Sequence, residues 1–139
     1  MEFKILNDLN DDIINLRTKT FVIGRAVPKE VDFDGKDKGL MHFCLYDSGK
    51  LLAYLRAEKI ENYLHIGRVC VDESVRKKGY GKKLLNYLFE YSKENEFSMI
   101  ELSAVDSAVG FYERIGFSKK GEFYMEAGAP HIYMSKNIE

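Results

Sequence analysis

The stretch VRKKGYGKK, residues 75–83, places two glycines two positions apart among five cationic side chains: Arg76, Lys77, Lys78, Lys82 and Lys83. The residues that follow, LLNYLFEYSKEN, have the apolar spacing of an amphipathic helix. The start of a helix already carries about half a positive charge from its aligned peptide dipoles, and acidic side chains are the usual choice there. Cations in that place point to an anion supplied from outside the chain. Unpaired backbone N–H groups at the helix start would hold it, and glycine lets it approach the main chain with no side chain between. The chemistry is that of a phosphate cradle, most simply for a pyrophosphate. The nucleotide pattern G-x-x-x-x-G-K-[ST] does not occur, and the dinucleotide pattern G-x-G-x-x-G lacks its third glycine because Leu84 stands there. On these nine residues alone, a solvated charged turn before an ordinary helix is an equal alternative.

Other chemistry finds less support. His42 and Cys44 share a strand face, but His65 and His131 are scattered, so no metal site is expected. No G-x-S-x-G elbow occurs, which leaves a serine hydrolase unsupported. Cys44 and Cys70 each lie in an apolar, strand-like run and read as buried free thiols rather than a disulfide framework.

The elements that must position the glycine loop follow from periodicity. EFKIL alternates like a short strand, and residues 10–24 read as a helix with Ile13, Leu16 or Arg17, and Phe21 on one face. Asn10 or Asp11 is its expected cap and Gly24 its stop. Residues 25–39 are polar and turn-rich, too long for a simple connector. Three strands then follow as an antiparallel meander, LMHFCLYD, LLAYLRAEKI and YLHIGRVCV, joined by short polar turns. The helix over 79–95 buries Leu84, Leu85, Leu88 and Tyr91 or Ser92. SMIELSA is a strand parallel to YLHIGRVCV, reached by a right-handed crossover. DSAVGFYERIG is a short helix capped by Asp106 and stopped by Gly116, and residues 117–128 and 130–137 form a closing strand pair. The expected fold is α/β (α+β), with a mixed, mostly antiparallel central sheet and flanking helices.

Bulk properties bound the function. With 139 residues, 45% hydrophobic and 31% charged, one globular domain over 1–139 is expected. A net charge of −1 makes the cationic cluster local and argues against a dedicated nucleic-acid binder. The first twenty residues are too charged for a signal peptide, and no apolar stretch approaches the ~20 residues that span a bilayer. No membrane association and a cytoplasmic location are therefore expected.

The stretch VCVDESVRKKGYGKKLL resembles the acyl-CoA-binding signature of the GNAT N-acetyltransferases, [RQ]-x-x-G-x-[GA], which reads here Arg76-Lys77-Lys78-Gly79-Tyr80-Gly81. AVGFYERIGF, about 30 residues downstream, is similar to that family's late helix, which carries a Tyr and ends in Gly-Phe. The element order matches too, so the resemblance covers nearly the whole chain. GRVCV, FYERIGF and Gly128-Ala129-Pro130-His131 further resemble the small ElaA-like branch, although Gly24-Arg25 and Ala104-Val105 depart from its pattern.

The resemblance implies a GNAT acyl-CoA N-acyltransferase fold and direct acetyl transfer from acetyl-CoA, as cosubstrate, to a small-molecule or peptide amine, with no metal. It implies backbone contacts from Val69, Cys70 and Val71 to the pantetheine arm and the carbonyl oxygen, on a strand that splays from its neighbour. Arg76, Lys78, Gly79, Gly81 and Lys82 would meet the pyrophosphate, with Tyr80 in the same loop and Lys77 or Lys83 less central. Tyr112 would act as general acid toward the departing thiolate. The base is open: Glu30 and Asp32 lie in the long loop that would border the acceptor, and His42, His131 or a water chain are alternatives. Arg68, on the opposite face from Val69, would meet substrate or solvent. Homodimers through the sheet edge are common among proteins of this likeness. A non-catalytic acyl-CoA binder of the same fold is the competing function.

Overall fold

The computed structural model describes residues 1–138. Seven strands form a single sheet: β1 (Glu2–Leu6), β2 (Met41–Asp47), β3 (Lys50–Ile60), β4 (Tyr63–Val71), β5 (Met99–Val105), β6 (Ser118–Glu126) and β7 (Ala129–Asn137), in the spatial order β1-β2-β3-β4-β5-β7-β6. Every adjacent pair is antiparallel except β4 and β5, which run parallel. The helices are α1 (Asp11–Arg17), α2 (Lys29–Asp32), α3 (Tyr80–Glu94) and α4 (Val109–Arg114). The expected mixed, mostly antiparallel sheet with flanking helices is the observed one.

Two apolar clusters hold the layers. On one face Leu84, Leu85 and Leu88 of α3 pack with Leu55, Leu64, Ile66, Ile100 and Leu102. Ser92 rather than Tyr91 completes the buried stripe of α3, its hydroxyl donating to the Leu88 carbonyl at 2.7 Å. On the other face Ile13, Leu16 and Phe21 pack with Cys44, Tyr54 and Cys70. Asn10 caps α1, its side chain accepting from the Ile13 N–H at 2.8 Å. The helix does not run unbroken to Gly24: from Thr18 to Ile23 it widens into a π-turn, closed by Gly24 N–H donating to the Lys19 carbonyl. A Cβ on Gly24 would lie 2.7 Å from the Thr20 carbonyl oxygen, so the widened turn leaves room only for glycine. Asp106 does not cap α4; a 3₁₀ turn over Asp106–Ala108 precedes the helix, and its Oδ1 accepts from Ser107 N–H.

Residues 25–39 are not a free loop. They carry α2 and are pinned by charges. Arg17 is fully buried, donating from Nε to Asp32 at 3.1 Å and from Nη1 to Asp37 at 2.6 Å, with its guanidinium 4.5 Å from the Phe33 ring centre. Arg56 holds Asp34 through two nitrogens and Asp37 through one. Arg68 reaches Asp32 Oδ1 at 3.0 Å and Asp34 at 3.4 Å. Three arginines from α1, β3 and β4 thus neutralise three aspartates of one segment. Burial pushes the Asp34 carboxyl up, but hydrogen bonds from Arg56 and the Lys36 N–H, with the charges of Arg56 and Arg68, hold it down at about 2.

Removing the hub takes the closest cation from Asp37 and one of two from Asp32, leaving each buried carboxylate with a single arginine. Arg17→Met is expected to cost about 3–5 kcal/mol, read by urea denaturation. Asp34 contributes stability that is complete above the ordinary carboxylate pKa and fades as pH falls towards ~2, because the unfolded chain binds the proton first. Denaturation between pH 5 and 2.5 should therefore show a shallower loss of stability in Asp34→Asn than in the wild type.

Candidate active site

The parallel pair does not stay together. β4 and β5 are in register from Tyr63–Met99 to Ile66–Leu102, and there the pairing ends. Each continues on its outer side: β4 pairs with β3 as far as Val71, and β5 with β7 as far as Val105. Between them opens a cleft of about 770 Å³. A bulge in β4 bends the strand away. Arg68 and Val69 together oppose the stretch of β3 between Tyr54 and Arg56, and Arg68 takes a left-handed φ of 56°. The extra residue also reverses the alternation. Leu64 and Ile66 face the α3 side, yet Cys70 joins the α1 side, while Val69 and Val71 pack towards α3.

At the cleft's mouth the chain turns from β4 into α3. Asp72 caps the turn by accepting from Ser74 N–H at 3.1 Å, and Arg76 Nε donates to the Val71 carbonyl at 3.3 Å. Lys77 and Gly79 both have left-handed φ, 65° and 83°. Such concave turns present successive N–H groups to an anion. The Lys83 N–H, bonded to the Gly79 carbonyl at 3.0 Å, belongs to the first closed turn of α3, so the N–H groups before it have no intrahelical partner. No acidic side chain occupies the first turn of α3. Among the described residues Arg76, Lys77, Lys78, Lys82 and Lys83 form no salt bridge. Gly81 sits against the end of β4: a Cβ there would meet Val71 Cγ2 at 3.3 Å and the Phe111 ring at 3.6 Å.

Val69, Cys70, Val71, Arg76, Gly81, Tyr112 and His131 all line the cleft. Lys77, Lys78, Gly79, Tyr80 and Lys82 surround the helix start outside its lining. Tyr112 is buried against Phe111 and Phe117, and burial pushes its phenol above the ordinary value. Its hydroxyl makes no hydrogen bond among the described residues, yet no sealed polar side-chain atom lacks a partner, so the hydroxyl opens to the cleft. Burial also pushes the Cys70 thiol up to about 12, which keeps it neutral and unreactive.

Of the candidate bases, only His131 is both in the cleft and uncommitted. Its Nδ1–H donates to the Ala129 carbonyl at 2.9 Å, which leaves Nε2 with a free lone pair. Glu30 is not brought into the cleft: Arg17 and Arg68 hold Asp32 inward, and Glu30, on the same short helix, is exposed and outside the lining. Asp32 lines the cleft but is buried between those two arginines. His42 is fully buried, with Nδ1 accepting from Tyr54 and Nε2–H donating to the Asp37 carbonyl. Arg68 lines the cleft and is about a quarter exposed, with its guanidinium held by the 31–34 segment. Sequence reasoning missed Arg17, Asp37, Arg56 and Glu126. An arginine in the apolar stripe of α1 and another within LLAYLRAEKI were the available signals for two of them. Among the described residues no three His, Cys, Asp or Glu side chains gather as a metal set. No helix among them is long and apolar enough to cross a membrane.

The parallel pair thus parts beside a helix start that carries unpaired N–H groups and surplus cations. Residues 10–117 match the acetyltransferase (GNAT) family model. A UPF0039 protein of Schizosaccharomyces pombe is 40% identical over 129 residues, covering 88% of this chain and 84% of that protein. ElaA of Escherichia coli is 29% identical over 131 residues, covering 91% and 86%. The ElaA crystal structure superposes with a TM-score of 0.86 over 98% of this chain and 99% of that one. An acyl-CoA N-acyltransferase from Pseudomonas aeruginosa, 28% identical, superposes with a TM-score of 0.84 over 97% and 98%. The chain belongs to the acetyltransferase (GNAT) family, in its ElaA-like branch.

The two loop glycines have different reasons to be there. Gly79→Ala should cost about 1 kcal/mol by backbone strain alone, since nothing lies near the added methyl. Gly81→Ala should instead push α3 from Val71. Thermal melts would register the first, and amide chemical-shift changes at residues 69–71 the second.

Proposed function

We propose that residues 1–139 act as one acetyltransferase domain that moves an acetyl group from acetyl-CoA to a primary amine by direct attack. The observation that carries this reading is the parting of β4 and β5 beside the cation-flanked start of α3. The pyrophosphate of the carrier would meet the N–H groups at Gly79, Tyr80, Gly81 and Lys82, with Arg76, Lys77 and Lys78 supplying charge. The pantetheine arm would lie along Val69–Val71 as a substitute strand, using peptide groups that β5 no longer pairs. A backbone N–H there, aimed at the thioester oxygen, would favour the tetrahedral intermediate by about 3–4 kcal/mol, as comparable donors do.

The acceptor arrives as an ammonium and first gives a proton to His131 Nε2. The neutral amine attacks the thioester carbon, the new C–N nitrogen releases its second proton to solvent, and the C–S bond breaks. Tyr112 meets the departing sulfur. An unperturbed phenol near ~10 already lies above a thiol near ~8.5, and burial widens the gap. Tyr112 therefore donates a hydrogen bond to the thiolate rather than surrendering its proton, and solvent protonates the thiolate after release. A neutral Cys70 supports direct attack over an acyl-enzyme. The acyl-CoA N-acyltransferase relative lends the acyl carrier its support.

A thermal-shift series tests the carrier. Acetyl-CoA or CoA at a hundred times its Kd adds about 2.7 kcal/mol of stability, several degrees for a domain of this size, whereas NAD should add little. No shift with any CoA species would sink the reading. In a thiol-release assay against primary amines, Tyr112→Phe should lower turnover about ten- to a hundredfold with CoA affinity unchanged. Equal turnover would remove Tyr112 from the leaving-group role.

A further inference from the structure

Two carboxylates line the cleft, Asp32 and Glu126. Asp32 is neutralised by Arg17 and Arg68. Glu126 is half exposed, and among the described residues no lysine or arginine engages it. Its Oε1 accepts from Ser103 Oγ at 3.2 Å, and Ser103 is in turn hydrogen-bonded to the Tyr124 hydroxyl. That chain aims the carboxylate across the closing hairpin, whose two-residue turn at Ala127 and Gly128 has left-handed φ at both positions. Glu126 stands opposite Ala129, so His131 is its diagonal neighbour.

The gap between them is informative. Glu126 Oε1 lies 3.8 Å from His131 Nε2. That is too far for a hydrogen bond, and because Nδ1–H donates to the Ala129 carbonyl, Nε2 is the nitrogen that accepts in the neutral ring. A contrasting pair reaches the cleft only through its histidine: His65, in the lining, and Glu101, outside it, close directly at 2.9 Å and leave nothing to fill. A carboxylate oxygen and an imidazole Nε2 in its accepting form, 3.8 Å apart, can share one ammonium whose nitrogen sits at ordinary distances of about 2.8–2.9 Å from both. Tyr133, 43% exposed and stacked on Tyr124, adds an aromatic face beside them.

We propose that Glu126 and His131 form the ammonium subsite of the cleft, so that the acceptor is a primary alkylamine recognised as its cation by Glu126 and delivered to Nε2 for deprotonation. This rests on the acetyl-transfer reading above. The proton passes from the bridging ammonium to His131 Nε2, the amine leaves the carboxylate as a neutral nucleophile, and Glu126 then faces the imidazolium.

The test uses n-butylammonium chloride, with 1-butanol as its uncharged counterpart, on the full chain with and without CoA. Histidine side-chain 1H–15N spectra report each imidazole. Butylammonium should move the Nε2 resonance of His131 but not those of His42, and butanol should move neither. Glu126→Gln, an exposed substitution whose folding a thermal melt checks, should weaken that titration about tenfold or more. In the thiol-release assay the same variant should raise KM for the fastest primary amine by a similar factor, more than it lowers kcat. His131→Asn should do the reverse. If CoA binds while butylammonium leaves His131 unmoved, or if Glu126→Gln titrates like the wild type, the ammonium subsite is overturned and acetyl transfer stands. If CoA itself does not bind, both fall together.

Discussion

Everything in the cleft depends on β4 and β5 ceasing to pair after Ile66 and Leu102. A parallel pair in the middle of a sheet ordinarily buries its peptide groups in a continuous ladder. Here each strand keeps its outer partner and gives up its inner one, so the sheet stays whole while a wedge opens within it. The bulge at Arg68 and Val69 supplies the bend. It also changes which residues reach the wedge. Without the extra residue, Cys70 would fall on the face of Leu64 and Ile66; with it, Val69 and Val71 turn towards α3 and the start of that helix is packed against them through Gly81.

A non-glycine residue in a left-handed conformation is strained, and such strain persists only where the surroundings over-determine it. At Arg68 the surroundings are charges. Its guanidinium is held by Asp32, Asp34 and the Val31 carbonyl. The same aspartates are held by Arg17 and Arg56, so the bulge, the 25–39 segment, α1 and β3 form one electrostatic unit. The network holds three cations and three anions and leaves no net charge in the wall it builds. That balance matters because a lone buried charge there would cost several kcal/mol, whereas a paired set mainly specifies position. The wall of the cleft is therefore rigid through the same contacts that bend its floor.

Periodicity made most of the elements legible. The strands of the meander, the buried stripe of α3 and the parallel crossover each repeat a simple spacing, and the glycine loop marked the start of a helix with no acidic residue in its first turn. What periodicity could not reveal lies where spacing breaks. The π-turn at Thr18–Ile23 adds a residue without altering composition, and the β4 bulge shifts a register that strict alternation assumes. Arg17 looked like a variant of a helix face because a single buried arginine is visible as a hub only when Asp32 and Asp37 are seen to converge from fifteen and twenty residues away. Glu30 and Asp32 looked equivalent in sequence, and the difference between them is which of the two the arginines reach. Glu126 is a charged residue in an exposed strand, indistinguishable there from its neighbours; only the tight turn at Ala127-Gly128 sets it diagonal to His131.

The cleft has two differently charged ends, and Arg25 in its lining lies near enough to Tyr112 to act on the phenol. At the start of α3 stand unpaired N–H groups and surplus cations, at the closing hairpin a carboxylate that no lysine or arginine engages among the described residues, and between them Cys70 and Tyr112, whose burial keeps both protonated. On the proposed reading, this polarity sorts the two substrates before any specific contact is made. A diphosphate carrier is drawn to one end and repelled from the other, and an alkylammonium experiences the opposite. The thioester and the amine then meet between the two ends, where a developing oxyanion encounters backbone donors rather than a fixed negative charge. Placing Glu126 at the rim rather than the floor follows from the same logic. A carboxylate close to the thioester would oppose the negative charge that forms on its oxygen, whereas one at the hairpin can hold the ammonium and let the neutral amine move inward once His131 has taken its proton.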